Sequence, residues 1–274
     1  MKTERLAALT RRMVEWKGGY RTSQALIDRH LRRRRSPVEY EVMGFRMLLD
    51  PHECVDQNLL FYPQLYEAAE LQYVRRHLMP GDTFVDIGSH IGLYSLSASV
   101  AVGPTGRIIA VDADTETFGR LEQNLRLNSA DNVRSYNYGV SDDRVSLPLY
   151  RWSGIGPNAG ANTLIPRHDA GDDWTSAGEV QCVTLLDILN LAEVRSIKGL
   201  KLDIERAEYR VLSRFFAQVP SSLLPSFILF EEYESTIELA GGSVVKLLED
   251  DGRYRRLMHT KAMKRDHIFE RVFT

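Results

Sequence analysis

Cysteine is almost absent: Cys54 and Cys182 are the only two in 274 residues. That excludes a disulfide framework and leaves too few thiols for a zinc knuckle. Long apolar runs are missing too. No stretch approaches the roughly 20 residues a membrane-spanning helix requires, so no membrane partner is expected. The opening MKTERLAALTRRMVEW is basic but has neither the apolar core nor the cleavage site of a secretory signal. With so little cysteine, a reducing cytoplasm is the expected location. No internal repeat is present, which excludes solenoids and propellers. What remains is an ordinary globular composition, 43% hydrophobic and 26% charged. Its length suits one large domain with a modest extension.

The net charge of −2 is unevenly spread. Residues 1–36 hold 11 Lys/Arg against 3 acids, a charge of +8 that leaves −10 on the remainder. Such an arm can neutralise phosphates, which keeps nucleic acid open as the less favoured partner. The plainer expectation, favoured here, is a solvated and partly frayed helical extension.

Residues 1–35 show helical apolar spacing broken at Gly18-Gly19, and Ser36-Pro37 ends that section. Two short strands around Met43-Gly44 and a helix over 64–78 lead to Pro80-Gly81. From there strands and helices alternate. Strands are expected at 83–87, 107–112, 133–140, 198–204 and 226–232, and helices at 91–101, 116–128, 207–218 and from 244. An antiparallel pair closes the chain. This alternation predicts an α/β doubly wound parallel sheet covered on both faces. The expected division is an extension over 1–36, a strand pair and helix over 37–80, and the Rossmann-like domain over 81–274. Residues 151–180, rich in Gly, Pro, Asn and Asp, read as a long loop of the kind that forms lids.

The sharpest motif is DTFVDIGSHIGLYSL, a strand ending in Asp86, a turn through Gly88-Ser89-His90, and a helix entered near Gly92. Ligands of doubly wound sheets sit at the carboxyl ends of strands. Gly88 lets backbone approach a ligand, and the helix start offers free N–H groups to a carboxylate. S-adenosylmethionine has that carboxylate, and an ammonium for Asp86. A dinucleotide site would place glycine where His90 stands, so its pyrophosphate fits poorly. His90 itself reads as packed or cofactor-facing rather than as a base.

RIIAVDAD ends the next strand in Asp112, followed by Ala113, about 20 residues past Gly92, the spacing at which an acid reaches ribose hydroxyls. GVSDD then sets Val140 and Ser141 where an adenine edge would lie. In KGLKLDIERAE, Lys201, Asp203 and Glu205 alternate and share one face if the strand persists. Buried charge costs several kcal/mol unless it is paired or used. Asp203 and Glu205 therefore read as residues that orient or deprotonate an acceptor, or hold a divalent cation. FILFEE adds Glu231 as a fourth acidic strand end.

On PGDTFVDIGSHIGLYSL, VDAD, LEQNLRLN, GVSDD, VTLLDIL and KLDIERAEYRVL, the chain resembles the FkbM family of methyltransferases. GFRMLLD and the YE of QLYEAAE also fit, so the likeness runs from about residue 38 to the end. KLDIERAE resembles the family's Asp-x-Glu-Gly-x-Glu signature, with Arg206 in place of the glycine. The resemblance implies a class I methyltransferase sheet of seven strands with the last antiparallel, S-adenosylmethionine as cofactor, and methylation mostly of hydroxyl oxygens on sugars, polyketides or related natural products. Some relatives methylate nitrogen. The expected partner is a small hydroxylated molecule; protein or RNA acceptors and a non-catalytic nucleotide-binding module are the alternatives, and a homodimer is left open. Asp203 and Glu205 take the acceptor-side role, with Glu231 in support. Residues 151–180 are expected to close over the acceptor through Trp152, Asn162, Thr163, His168 and Trp174, and Arg206 to bring a cation near it.

Overall fold

Short segments that are apolar at nearly every position survive as strands only when both sheet faces are covered. The computed structural model of the chain describes residues 3–16, 18–31, 37–152, 159–166, 174–257 and 265–272. Helices α1 (Thr3–Met13) and α2 (Gly19–Leu31) precede a hairpin of β1 (Val38–Val42) and β2 (Phe45–Leu49), then α3 (Cys54–Phe61) and α4 (Ala68–His77). The alternating region begins with β3 (Thr83–Ile87), α5 (Leu93–Val102), β4 (Arg107–Val111), α6 (Thr115–Leu127) and β5 (Val133–Tyr136). A short β6 (Gly139–Val140) joins β7 (Val145–Trp152) and β8 (Trp174–Val183) in a small side sheet. The chain returns through α7 (Leu185–Leu191), β9 (Gly199–Leu202), α8 (Glu208–Gln218), β10 (Phe227–Glu231), α9 (Ile237–Ala240), α10 (Val244–Asp251), β11 (Tyr254–Arg256) and β12 (Asp266–Arg271).

The main sheet has seven strands in the order β11–β12–β10–β9–β3–β4–β5. The strands from β10 to β5 pair in parallel, while β12 is antiparallel to both its neighbours. This is the doubly wound sheet with a reversed last strand that the sequence predicts. Strand order changes direction between β3 and β9, so their carboxyl ends flank the switch point where such sheets bind ligands.

Period-two alternation sorts the strand residues into two layers. Phe84, Ile108, Ala110, Phe227 and Leu229 pack with α4 to α6 and the N-terminal helices. Val85, Ile109, Leu200, Leu202 and Ile228 pack with α7, α8 and α10. Lys201 falls between two apolar neighbours, so it must point into the first layer. Its register partner on β3 is Asp86.

Several expectations need correcting. The strand expected over 133–140 is two pieces: Asn137 turns the chain by donating from Nδ2 to the carbonyls of Asp112 and Ala113 (2.9 and 3.2 Å), and Gly139 then pairs with Cys182 of β8. The strand expected over 198–204 stops at Leu202, because charges beyond that point cannot lie between two apolar layers. Glu205 and Arg206 instead form a left-handed turn (φ 52° and 87°) into α8. Helix α4 begins at Ala68 rather than 64, and α3 was not expected. The presumed loop 151–180 carries strand at both ends, with Trp152 paired to Trp174; His168 lies outside the described residues. The N-terminal helices are not frayed. Leu6, Ala7, Ile27 and Leu31 are buried in the first layer, and Arg11 donates to the carbonyl of Leu60 (3.0 Å). Arg32–Arg35 lie outside the described residues.

Candidate active site

The carboxyl ends of β3, β4, β9 and β10 open into one cleft, roofed by Gly160, Asn162, Thr163 and Leu164. One wall follows β3 and β4. Gly88 and Ser89 both donate their N–H groups to the carbonyl of Val111 (2.9 and 3.0 Å), which holds the turn against β4. Gly88 has φ +76°, and a Cβ there would overlap the carbonyl oxygen of Asp203. The glycine is therefore required by the neighbouring turn after β9, not only by a ligand. His90 also sits in the left-handed region (φ 48°) and donates its N–H to Asp112 Oδ2 (2.8 Å). The N–H of Asp114 meets Asp112 Oδ1 (3.0 Å), so two backbone donors fix that carboxylate. Burial nevertheless pushes Asp112 up to about 7. Burial also lowers His90 to about 4, which leaves the imidazole neutral at pH 7. His90 Nε2 and Ser89 Oγ are buried without a protein partner.

Of the residues expected on this side, Gly88, Ser89, His90, Asp112, Ala113 and Val140 line the cleft. Asp86, Gly92 and Ser141 do not line it. Asp86 is fully buried and accepts from Ser95 Oγ (2.6 Å). Gly92 provides room for Leu121 of α6. Ser141 donates its N–H to Val183 (3.0 Å).

The opposite wall is acidic. Asp203, Glu205 and Glu231 each place a carboxylate oxygen within 4.8 Å of the others. Burial raises Glu205 well above the carboxylate range, and the charges of Asp203, Glu231 and Glu208 add to it. Glu231 is raised by burial and by Asp203. Lys201, almost wholly buried, stands behind this trio with Nζ 3.1 Å from Asp203 Oδ2 and over the ring of Tyr94. Burial opposes its charge, but Asp203, Asp86 and Glu67 outweigh that and raise its pKa.

Sequence reasoning missed several residues of the cleft. Tyr66 and Glu67 line it from the turn before α4 and Tyr94 from α5, and Glu67 has a left-handed backbone (φ 44°). The only signal was the Tyr-Glu pair before α4, with nothing in the spacing to aim it inward. Asp114, the last residue of RIIAVDAD, is given no role by the spacing. It caps α6 by accepting from the N–H groups of Glu116 and Thr117, and pairs with Arg151 Nε (2.7 Å). Trp152 and Trp174, expected at the acceptor, do not line the cleft; they meet edge to face 5.2 Å apart.

A family profile described as the methyltransferase FkbM domain matches residues 86–259. An arsenite methyltransferase of Halobacterium salinarum is 38% identical over 56 residues, which is 20% of this chain and 14% of that protein, so the match spans about a seventh of the relative's length. An O-methyltransferase of Bacillus cereus, solved with S-adenosylhomocysteine, aligns over 75% of this chain and 81% of its own at 10% identity, with a TM-score of 0.46. An O-methyltransferase of Streptomyces achromogenes involved in tomaymycin synthesis, solved with S-adenosylmethionine, aligns over 77% and 80% at 11% identity, also with a TM-score of 0.46.

Proposed function

We propose that this chain, which belongs to the FkbM methyltransferase family, transfers the methyl group of S-adenosylmethionine to a hydroxyl oxygen of a sugar, polyketide or related natural product. The observation that carries this reading is the convergence of Asp203, Glu205 and Glu231 at one end of the cleft. Burial and mutual repulsion raise Glu205 and Glu231, which makes them more basic. A basic carboxylate beside a hydroxyl is suited to orient it and take its proton.

The other end fits the cofactor. Ser89 Oγ and His90 Nε2 have no protein partner, and the start of α5 has no side-chain cap. These groups, with the positive end of the helix dipole, suit the carboxylate of an amino-acid tail. Asp112, beside Ala113, offers acceptors to a ribose, and Val140 with Leu149 and Leu164 forms an apolar slot for adenine. Asp86 serves from behind the wall, as one of three acids around Lys201. When bound, S-adenosylmethionine supplies a sulfonium-borne methyl group open to in-line displacement. The chain's own work is alignment, worth about 7–11 kcal/mol in a near-attack geometry, and proton removal, worth a factor of about 10²–10⁴.

A screen of hydroxylated and amine-bearing small molecules, following release of adenosylhomocysteine with and without Mg²⁺, tests the proposal. The Mg²⁺ arm is included because the acidic trio has the oxygen chemistry that hard cations prefer. Turnover of hydroxyl compounds is expected. Turnover confined to amines, or to RNA in a manner steeply dependent on salt, would replace it.

A further inference from the structure

The described segment 159–166 lies between β7 and β8 and crosses the cleft. At one end it touches the wall proposed for the nucleoside. Leu164 packs close to Gly139, where an added Cβ would stand 3.5 Å from its Cδ1, and Asn162 Nδ2 donates to Asp114 Oδ2 (3.2 Å). The same Asp114 holds Arg151 of β7 through a forked pair (2.7 and 3.0 Å). At the other end the segment is tied to the turn after β9. Thr163 Oγ1 donates to the carbonyl of Glu205 (2.6 Å), and Arg206 Nε donates to the carbonyl of Ile165 (2.7 Å). The Arg206 guanidinium also lies 5.1 Å from the ring centroid of Trp174, the first residue of β8.

Two features make Arg206 unusual. Its backbone has φ 87°, a region that favours glycine and costs other residues about 1 kcal/mol or more. Its side chain reaches the roof, where Nε donates to the Ile165 carbonyl, while its charge also offsets that of Glu205. A strained position occupied by a long forked cation is explained if the cation holds something in place. Its guanidinium joins a carbonyl of the roof to the first residue of β8 at the base of the side sheet.

We infer that Arg206 is the latch of the roof and sets how fast the nucleoside leaves the cleft. It is a positioning residue: it acts through segment 159–166 on the adenosyl half, not as a cation at the acceptor. The inference rests on the reading that Asp112 and Val140 hold the nucleoside.

The test measures adenosylhomocysteine release from the full-length protein by stopped-flow displacement. Arg206→Gly suits the backbone, so the variant should fold with an unchanged or slightly higher melting temperature while releasing the ligand roughly tenfold faster, the scale of one lost charge-assisted hydrogen bond. Arg206→Lys keeps a point charge without the fork and should fall between. Arg151→Ala loosens the other tie at a half-exposed pair and should speed release only about threefold. Normal binding with wild-type release in Arg206→Gly overturns the latch and leaves the cleft assignment standing. A wild-type protein that binds no adenosylhomocysteine overturns that assignment, and the latch with it.

Discussion

The two walls of the cleft are built on different physics. After β3 and β4, a single acid, Asp112, is held by two backbone N–H groups, and the wall's shape comes from left-handed residues and a close backbone crossing at Gly88. After β9 and β10, Asp203 gathers with Glu205 and Glu231, and the buried Lys201 pairs with Asp203 and faces Glu67. The first wall is steric and leaves its acid about half protonated near pH 7 when empty. The second is electrostatic: Lys201 compensates Asp203, Asp86 and Glu67, while Arg206 and Arg265 offset Glu205 and Glu231. A ligand on the first wall meets fixed donors and acceptors, whereas one on the second meets a group of acids that trade a proton.

If the first wall is steric, Gly88→Ala should be the most damaging change in the molecule. The new methyl would strike the Asp203 carbonyl, and φ +76° disfavours any Cβ. A stability loss of at least about 4 kcal/mol is expected, with adenosylhomocysteine binding lost as well. Urea unfolding and calorimetry measure both. A variant of wild-type stability would mean that the two turns do not cross as closely as described.

Lys201→Met asks the matching question of the second wall. Removing one partner from a buried charge group costs about 3–5 kcal/mol, because the remaining carboxylates are left uncompensated. Asp86 and Glu67, which the lysine charge holds down, would then take up protons more readily, so the deficit should shrink as pH falls. A deficit that does not change between pH 8 and pH 5 would contradict the electrostatic account.

The same contrast explains what could be read from the chain. The first wall is local: strand, Gly88-Ser89-His90 and helix follow one another over residues 83–102, and Asp112 follows at the distance one crossover imposes, so its residue types were legible. Only three-dimensional packing could show that Asp86, Gly92 and Ser141 stand behind the lining. The second wall draws on α4, α5, β9 and β10. Asp203, Glu205 and Glu231 were legible because charge at a strand end stands out against apolar neighbours. Tyr66, Glu67 and Tyr94 were not, since their sequence surroundings look like an ordinary amphipathic helix. Register matters as well: only the pairing of Asp86 with Lys201 shows that the lysine serves both strands. The break at Asn137 and the side sheet were invisible because they depend on side-chain bonds to carbonyls 24 and 25 residues away.

Glu205→Gln probes the second wall more gently. It keeps shape and removes both a negative charge and a proton acceptor, so kcat should fall about 10²-fold while adenosylhomocysteine affinity holds. The variant should also be about as stable as wild type, since burial and the neighbouring carboxylates already disfavour the Glu205 charge. A fall in affinity without a fall in kcat would move Glu205 to the cofactor side.

The smallest effect belongs to Asp112 and is read in pH. Its carboxyl is raised from 3.8 to about 7 by burial, so the folded, empty protein binds its proton more tightly than the unfolded chain does. That contribution to stability is fully present below about 4 and is lost as pH rises through about 7. Ribose hydroxyls donate hydrogen bonds, so they favour the ionised carboxylate, and nucleoside binding must expel the proton wherever it is still bound. Affinity for adenosylhomocysteine should therefore rise with pH, by up to about tenfold per unit between pH 5 and 7, and level off above. Glu208 and Asp266 are also raised to about 7, but neither lines the cleft. Asp112→Asn should therefore flatten the profile while weakening binding. Calorimetry across that pH range decides the matter: an equal slope in the two proteins would assign the proton to another group and leave Asp112 as a brace for the His90 turn.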